Sequence, residues 1–271
     1  MRKTYTTVLT IAGSDGSGGA GIQADIKTFA ALECYGLSVI TACTAQNTAG
    51  VRAVFPSSGK SVREQFRAIS SDISIDAVKI GMLGSSAIIK VVSALLGELK
   101  GDPPVILDTV LGSSGGVLLL PSEAIPILKK ELFPLASLIT PNLPETAILA
   151  GLKKPPETPD AVEEAAARLL ETGAGSVLVK GGHSKGGSCC DCLLYDNRFF
   201  WFSSKKIMTV NTHGTGCTLS SAIAAFMAKG ESVDAAVGKA KAYIDEALRA
   251  GTAYRLGNGS GPLHHFHRLW R

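Results

Sequence analysis

Residues 7–32 read TVLTIAGSDGSGGAGIQADIKTFAAL, and the fold is decided there. A short apolar run, Thr7–Ala12, breaks into a glycine-rich loop, Gly13-Ser14-Asp15-Gly16-Ser17-Gly18-Gly19-Ala20-Gly21. A helical pattern, Gly21–Leu32, follows. Strand, tight turn and helix in that order form the opening of a βα unit, whose continuation is a parallel sheet covered by helices. The rest of the chain repeats the rhythm. Strands are expected at Leu37–Thr44, Ala77–Ile80, Val105–Asp108, Ser137–Thr140 and Ser176–Lys180. All are nearly continuous in apolar residues, as strands buried on both faces are. Helices are expected at Val62–Ile73, Ala87–Leu99, Ser122–Leu132 and Ala161–Thr172. Late in the chain, Cys192–Tyr195 and Phe199–Phe202 flank Asp196-Asn197-Arg198 and predict a hairpin. Two long helices, about Thr215–Lys229 and Ser232–Ala250, close the sequence. The expectation is an α/β three-layer αβα sandwich, with a mostly parallel central sheet and one late hairpin. No linker or composition break divides it, so residues 1–271 are read as one domain.

Composition narrows the class. Apolar residues make up 45% and charged ones 18% of 271 residues, enough for a large core and against a disordered chain. Basic side chains number 27 against 23 acidic, a mild +4 with no basic run, and aromatics are 6%. Both argue against nucleic acid as a partner. No apolar stretch reaches the roughly 18 residues that span a membrane, and Val8–Ala12 is too short for a signal peptide. The six cysteines, Cys34, Cys43, Cys189, Cys190, Cys192 and Cys217, form no regular framework and are read as reduced thiols of a cytoplasmic protein.

Ligands of open parallel sheets sit beyond the carboxyl ends of the strands, so the segments there carry the chemistry. Gly16, Gly18 and Gly21 satisfy a dinucleotide-binding G-x-G-x-x-G, but the next strand ends in Thr44-Ala45-Gln46-Asn47 with no acid for a ribose. A small-ligand pocket is the other reading of this loop, with Asp15 or Asp25 available for polar contact. Gly59-Lys60-Ser61 lacks the upstream glycine of a P-loop, since position 54 is Val; Ser61 is read as a helix N-cap with Glu64 completing a capping box. Asp108 ends one strand. Asn142 and Glu145 in Thr140-Pro141-Asn142-Leu143-Pro144-Glu145 could cap a helix or turn oxygens toward Mg²⁺. Lys180-Gly181-Gly182-His183 offers a cation and a close backbone approach to phosphate.

The segment Asn211-Thr212-His213-Gly214-Thr215-Gly216-Cys217-Thr218 is the most informative. Two glycines at the mouth of a long helix make an anion site from free amides and the helix dipole, and the same field favours a Cys217 thiolate; a small cysteine buried under the helix start is the other reading. Cys189-Cys190-x-Cys192 lacks the paired spacing of zinc sites. His264, His265 and His267 suit a buried or dimer-contacting tail, and Trp201 and Trp270 suit packing.

These motifs, in this order, resemble the ribokinase-like superfamily. More closely they resemble the hydroxymethylpyrimidine/phosphomethylpyrimidine kinase family of thiamine biosynthesis, over nearly the whole chain up to Gly259-Ser260-Gly261-Pro262-Leu263-His264-His265-Phe266-His267. The resemblance implies transfer of the γ-phosphoryl of MgATP to 4-amino-5-hydroxymethyl-2-methylpyrimidine and then to its monophosphate, by a homodimer. It implies that Gly214, Thr215 and Gly216 hold the travelling phosphoryl, and that Cys217 orients or deprotonates the attacking hydroxyl where most of the superfamily carries aspartate. Asp108, Asn142 and Glu145 would organise Mg²⁺, and Lys180, Gly182, Thr212 and His213 would meet ATP. Gln46 would read the pyrimidine edge, with Met82 and Val110 against the ring and Asp25 and Gly13 beside it. The related pyridoxal kinases, and an oxidoreductase built on the first glycine loop, are the alternatives.

Overall fold

The computed structural model describes residues 3–113, 115–181 and 188–270. Gly182 and His183 lie outside them. The elements are β1 (Thr7–Asp15), α1 (Gly21–Ala31), β2 (Tyr35–Asn47), β3 (Gly50–Pro56), α2 (Gly59–Ser70), β4 (Ala77–Ile80), α3 (Ser86–Leu96), β5 (Val105–Leu107), α4 (Ile125–Leu132), β6 (Leu138–Ile139), α5 (Leu143–Ala150), α6 (Pro159–Leu170), β7 (Val177–Val179), β8 (Ser188–Tyr195), β9 (Arg198–Lys205), α7 (Thr215–Ala228) and α8 (Val233–Gly251). One nine-stranded sheet has the order β3-β2-β1-β4-β5-β6-β7-β8-β9. Strands β2, β1, β4, β5, β6 and β7 run parallel, while β3, β8 and β9 join antiparallel to their neighbours. The sequence predicts a single hairpin. The structure holds a second, β2–β3, at the opposite edge, and its half-exposed strand β3 lacks the continuous apolar pattern of the central strands.

Helices α2, α3, α4, α5 and α6 pack on one face of the sheet through Phe66, Ile89, Leu128, Leu149 and Leu169. Helices α1, α7 and α8 cover the other through Phe29, Ile223 and Tyr243. Strand alternation sorts the strand side chains between them. Leu9, Ile80, Leu107, Ile139 and Val179 face the first layer, and Val8, Ala77, Ile106, Leu138 and Leu178 face the second. Two residues further along the second set come Thr10, Lys79, Asp108, Thr140 and Lys180. The two-residue period therefore aims all five at the α1/α7 layer, with Asp108, Thr140 and Lys180 just past the ends of their strands.

Local chemistry fixes the helix starts. The side chains of Ser85 and Thr158 accept from the amides of Ile88 and Ala161 to cap α3 and α6. Ser58, rather than the expected Ser61, caps α2. Its hydroxyl accepts from the Ser61 amide, which places Ser61 inside the first turn. Asn142 and Glu145 form a reciprocal capping box at α5. Among the described residues, no helix is long and apolar enough to cross a membrane. All six cysteines are free.

Candidate active site

The mouth of α7 differs from these capped starts. Gly214 is its N-cap, with φ of 80° and no side-chain cap. The Thr215 amide bonds Thr212 O at 3.2 Å, and the Thr218 amide bonds Gly214 O at 2.8 Å. The amides of Gly216 and Cys217 have no acceptor among the described residues. Two aligned donors thus remain at the positive end of the helix dipole, the arrangement that binds phosphate. Residues 213–217 are neither buried nor fully exposed, so the donors can be reached. A side chain at Gly214 would collide with Gly19, since its Cβ would lie 1.8 Å from Gly19 O. The α7 mouth is therefore seated directly on the first glycine loop.

A charged group stands beside the free amides. Lys180 Nζ donates to Asp108 Oδ1 at 2.7 Å, and a Cβ on Gly216 would lie 3.5 Å from that nitrogen and 3.8 Å from Asp108 Oδ2. Burial opposes both charges, yet each partner holds the other ionised. Asp108 and Glu145 push the Lys180 pKa up, while Lys180 and Lys79 bring that of Asp108 down. Asp108 also accepts from Thr140 Oγ1 at 3.1 Å and, more weakly, from Ser220 Oγ at 3.4 Å.

Glu145 and Asn142 stand further back. Asn142 Oδ1 accepts the Glu145 amide at 2.9 Å, and Glu145 Oε2 accepts the Asn142 amide at 2.9 Å and Thr109 Oγ1 at 3.1 Å. Glu145 Oε1 takes the Leu111 amide at 3.3 Å. These oxygens are engaged in the capping box, so direct ligation by Asn142 and Glu145 is not what the geometry offers. Among the described residues, no three His, Cys, Asp or Glu side chains converge as a metal cage.

Cys217 corrects another expectation. Although it lies in the first turn, burial pushes its thiol up to about 11, against the pull of Lys79. Burial thus favours the neutral thiol at pH 7 over the thiolate expected from the helix terminus. Asp25 is corrected as well. It has no exposed surface, and its carboxylate is taken by Lys79 Nζ, at 2.9 Å to each oxygen, with Thr10 Oγ1 at 2.6 Å and Ser221 Oγ at 2.7 Å. It lies under the site and not on its wall.

On the ring side, His213 Nε2 lies 2.8 Å from Asp15 Oδ2 and 3.2 Å from Gln46 Nε2. His213, expected near ATP, lies with its imidazole against the Asp15 carboxylate on the glycine-loop side. Burial would raise the Asp15 carboxyl, but hydrogen bonds from His213, Ser17 and the Ala20 amide hold it well below the usual carboxylate range. A carboxylate only accepts, so Nε2–H points to Asp15 and leaves no lone pair for the neighbouring Gln46 amide nitrogen; Gln46 is held instead by Thr44 Oγ1, which donates to its Oε1 at 3.1 Å. Met82 is buried, and its sulfur would be 3.2 Å from a Cβ on Gly13. It also lines a cavity of about 230 Å³ with Ala42, Val54, Leu83 and Leu119. Val110 is half-buried, and Thr212 is exposed, 3.4 Å from Ser260 Oγ. A larger hollow between α4 and α5, lined by Ile125 and Ile148, contains none of these side chains.

The sequence pattern of phosphomethylpyrimidine kinases matches residues 15–264, from the first glycine loop to the C-terminal histidines. The chain belongs to the phosphomethylpyrimidine kinase family. A hydroxymethylpyrimidine/phosphomethylpyrimidine kinase of Rhizobium meliloti (strain 1021) is 45% identical over 97% of this chain and 98% of its own length. Its counterpart in Escherichia coli (strain K12) is 44% identical over the same shares. Among solved structures, a phosphomethylpyrimidine kinase from Clostridium difficile 630 superposes with a TM-score of 0.78 and 43% identity, over 89% of this chain and 99% of that one. An ADP complex of Bacillus subtilis pyridoxal kinase gives 0.89 and 37%, over 98% and 100%. The family is one of phosphotransferases, and the ribokinase-like α/β fold expected from the sequence is shown by these likenesses.

Sequence reasoning missed Lys79 and the hydroxyls of Thr109, Ser220 and Ser221. Lys79 had a signal, a lone charge inside the otherwise apolar run Ala77–Ile80, which calls for a buried partner.

Proposed function

We propose that this chain transfers the γ-phosphoryl of ATP to the hydroxymethyl group of 4-amino-5-hydroxymethyl-2-methylpyrimidine, and then phosphorylates the monophosphate to the diphosphate, as a single kinase domain of thiamine biosynthesis. The observation that carries the reading is the pair of free amides at Gly216 and Cys217 beside the Lys180–Asp108 ion pair. In phosphoryl transfer the substrate oxygen forms a bond to phosphorus as the bond to the ADP oxygen breaks, and charge spreads over the equatorial oxygens. Fixed amides and an ammonium that need no reorganisation stabilise that charge.

Cys217 stands where the hydroxyl approaches. A thiol titrating near 11 is ionised in about one molecule in ten thousand at pH 7, so it orients the hydroxyl as a neutral partner rather than removing its proton beforehand. A loose transition state tolerates this, because the nucleophile keeps its proton until bond formation is advanced.

Mg²⁺ fits the donors present. Asp108 Oδ2 carries only the long bond from Ser220, and a hard cation that keeps waters and takes phosphate oxygens needs few protein ligands. Asp108 would face it directly or through water, with Asn142 and Glu145 holding the strand end behind. When bound, the ion would neutralise the developing phosphate charge. Lys180 would lie along the phosphates, and Gln46 would present its amide to the ring nitrogen and amino group. The reading includes a cytoplasmic homodimer, for which light scattering should return about twice the 28.1 kDa chain mass.

Pyridoxal is the second acceptor to consider, because the pyridoxal kinase folds superpose more fully than the phosphomethylpyrimidine kinase does. ADP release is measured separately with the pyrimidine, its monophosphate and pyridoxal. Preferred turnover of the first two supports the proposal, and equal or better turnover of pyridoxal refutes it.

A further inference from the structure

The floor beneath Cys217 holds a pair of charges with no access to water. Lys79 and Asp25 both have 0% side-chain exposure, and the lysine reaches both carboxylate oxygens at 2.9 Å. Two hydroxyls complete the cluster, Thr10 Oγ1 on Oδ2 and Ser221 Oγ on Oδ1. Four elements meet in it, β1 through Thr10, α1 through Asp25, β4 through Lys79 and α7 through Ser221. Thr10 and Lys79 are register partners on adjacent parallel strands, so the sheet presents them side by side.

Removing two ions from water costs several kcal/mol each, and apolar residues of similar volume commonly serve stability as well or better. The α1/α7 layer in which the pair is buried is otherwise built from apolar side chains such as Val8, Phe29, Ala77 and Leu219. Packing alone therefore gives no reason for a salt bridge here. Its position supplies one. Ser221 follows Cys217 by four residues, one helical turn along the same face. The hydroxyl that binds Asp25 thus fixes the rotation of α7 about the axis on which the Gly216 and Cys217 amides are carried. The charges that face the sulfur are Lys79 from β4, Asp25 from α1, and Asp108 and Lys180 from the ends of β5 and β7. Lys79 exerts the largest favourable pull among them, and Asp25 opposes it.

We propose that Lys79 is a positioning residue for the phosphoryl transfer, with Asp25 its counter-ion. Through Ser221 the pair holds the α7 mouth in register, and it sets a fixed positive charge under the thiol that meets the substrate hydroxyl. The role rests on the kinase reading above, but it is read from contacts that do not depend on which ring is bound.

Three variants test it: Lys79→Met, Asp25→Asn, and the two together, which removes both charges so that neither is left buried alone. Thermal unfolding checks that each is folded. Steady-state kinetics with ATP and the pyrimidine give kcat and KM, and peptide mass spectrometry gives the rate of Cys217 alkylation by iodoacetamide at a single alkaline pH. In the folded double variant kcat should fall about tenfold or more, with the KM for ATP within about threefold of wild type, because the nucleotide contacts are untouched. Alkylation of Cys217 should slow in Lys79→Met and quicken in Asp25→Asn. A merely structural pair would move both rates in the same direction. If one single variant does not fold, the double variant decides by its kinetics. A folded double variant with kcat within threefold of wild type, or single variants that shift alkylation alike, overturns the proposal. A wild-type chain that phosphorylates none of the three acceptors would refute the kinase reading instead, and the opposed alkylation rates would still decide the role of Lys79.

Discussion

Gly214→Ala tests whether the α7 mouth must sit where it does. Gly214 has φ of 80°, a region that costs an L-residue roughly 1–2 kcal/mol. The added Cβ would also lie 1.8 Å from Gly19 O, where ordinary contact begins at 3.4 Å. Either α7 or the glycine loop must retreat by roughly 1.5 Å, and displacements of about 1 Å cost on the order of 10²-fold in rate. Losing one fixed donor to the transition state costs about 10²–10³ in kcat. The expected result is a fall in kcat of about 10²-fold or more, with destabilisation of about 2 kcal/mol, a midpoint drop of about 4–8 °C for a chain of this size. Gly230→Ala is the internal control. Its φ is 86°, so the backbone strain is the same, but no atom lies within 4 Å of the added Cβ and the residue follows the far end of α7. It should cost about 1–2 kcal/mol and leave kcat unchanged. Coupled ADP-release kinetics and calorimetric unfolding read both. Retention of kcat within threefold in Gly214→Ala, or an equal loss in Gly230→Ala, would refute the reasoning.

Three more outcomes are expected. Cys217→Ala should lose about 10²-fold in kcat yet keep its ATP affinity by calorimetry, and Cys217→Ser, another neutral partner, should recover at least part of the loss; full activity in the alanine variant would make the thiol structural. Gln46→Ala should raise the KM for the pyrimidine about tenfold or more and leave the KM for ATP in place, and the reverse pattern would displace the ring pocket. His265, buried with Nε2 3.1 Å from Thr218 Oγ1 in the first turns of α7, has its pKa lowered by burial to about 3. The unfolded chain takes up a proton near pH 6.5 and the folded one only near 3, so this residue's contribution is complete above about 6.5 and declines as pH falls, by about 1.4 kcal/mol per unit. Urea unfolding from pH 7 to 4 should show that slope diminished in His265→Gln; an unchanged slope would place the titration elsewhere.

The parts of the site that lie on regular alternation were legible in the sequence. Once the parallel strands are drawn, the two-residue period brings Asp108, Thr140 and Lys180 to one face, and Asn142 with Glu145 announces the start of α5. The late hairpin was marked by Asp196-Asn197, whose φ values of 51° and 55° suit a tight turn between twisted strands. The strand ends were less legible, because β8 and β9 extend to Ser188 and Lys205 through partly polar residues.

What depends on remote contacts was hidden. The state of Cys217 follows from burial beside Lys79 and Asp25, residues 138 and 192 positions away in sequence, whereas the local motif left a helix-terminus thiolate and a buried thiol both open. The direction of His213 follows from Asp15 across 198 positions. The cap of α2 was misplaced because Ser58 and Ser61 both suit the role, and Glu64 made Ser61 look complete.

The central claim is that the Gly216 and Cys217 amides receive the transferring phosphoryl group. Backbone ¹⁵N–¹H resonances, assigned in the free enzyme and followed on adding ADP, aluminium fluoride, Mg²⁺ and the pyrimidine, report on those two donors directly. The account predicts large downfield amide proton shifts at both when the complete mimic forms, and small ones with the pyrimidine alone. Unmoved Gly216 and Cys217 resonances in a complex whose other signals show saturation would contradict it.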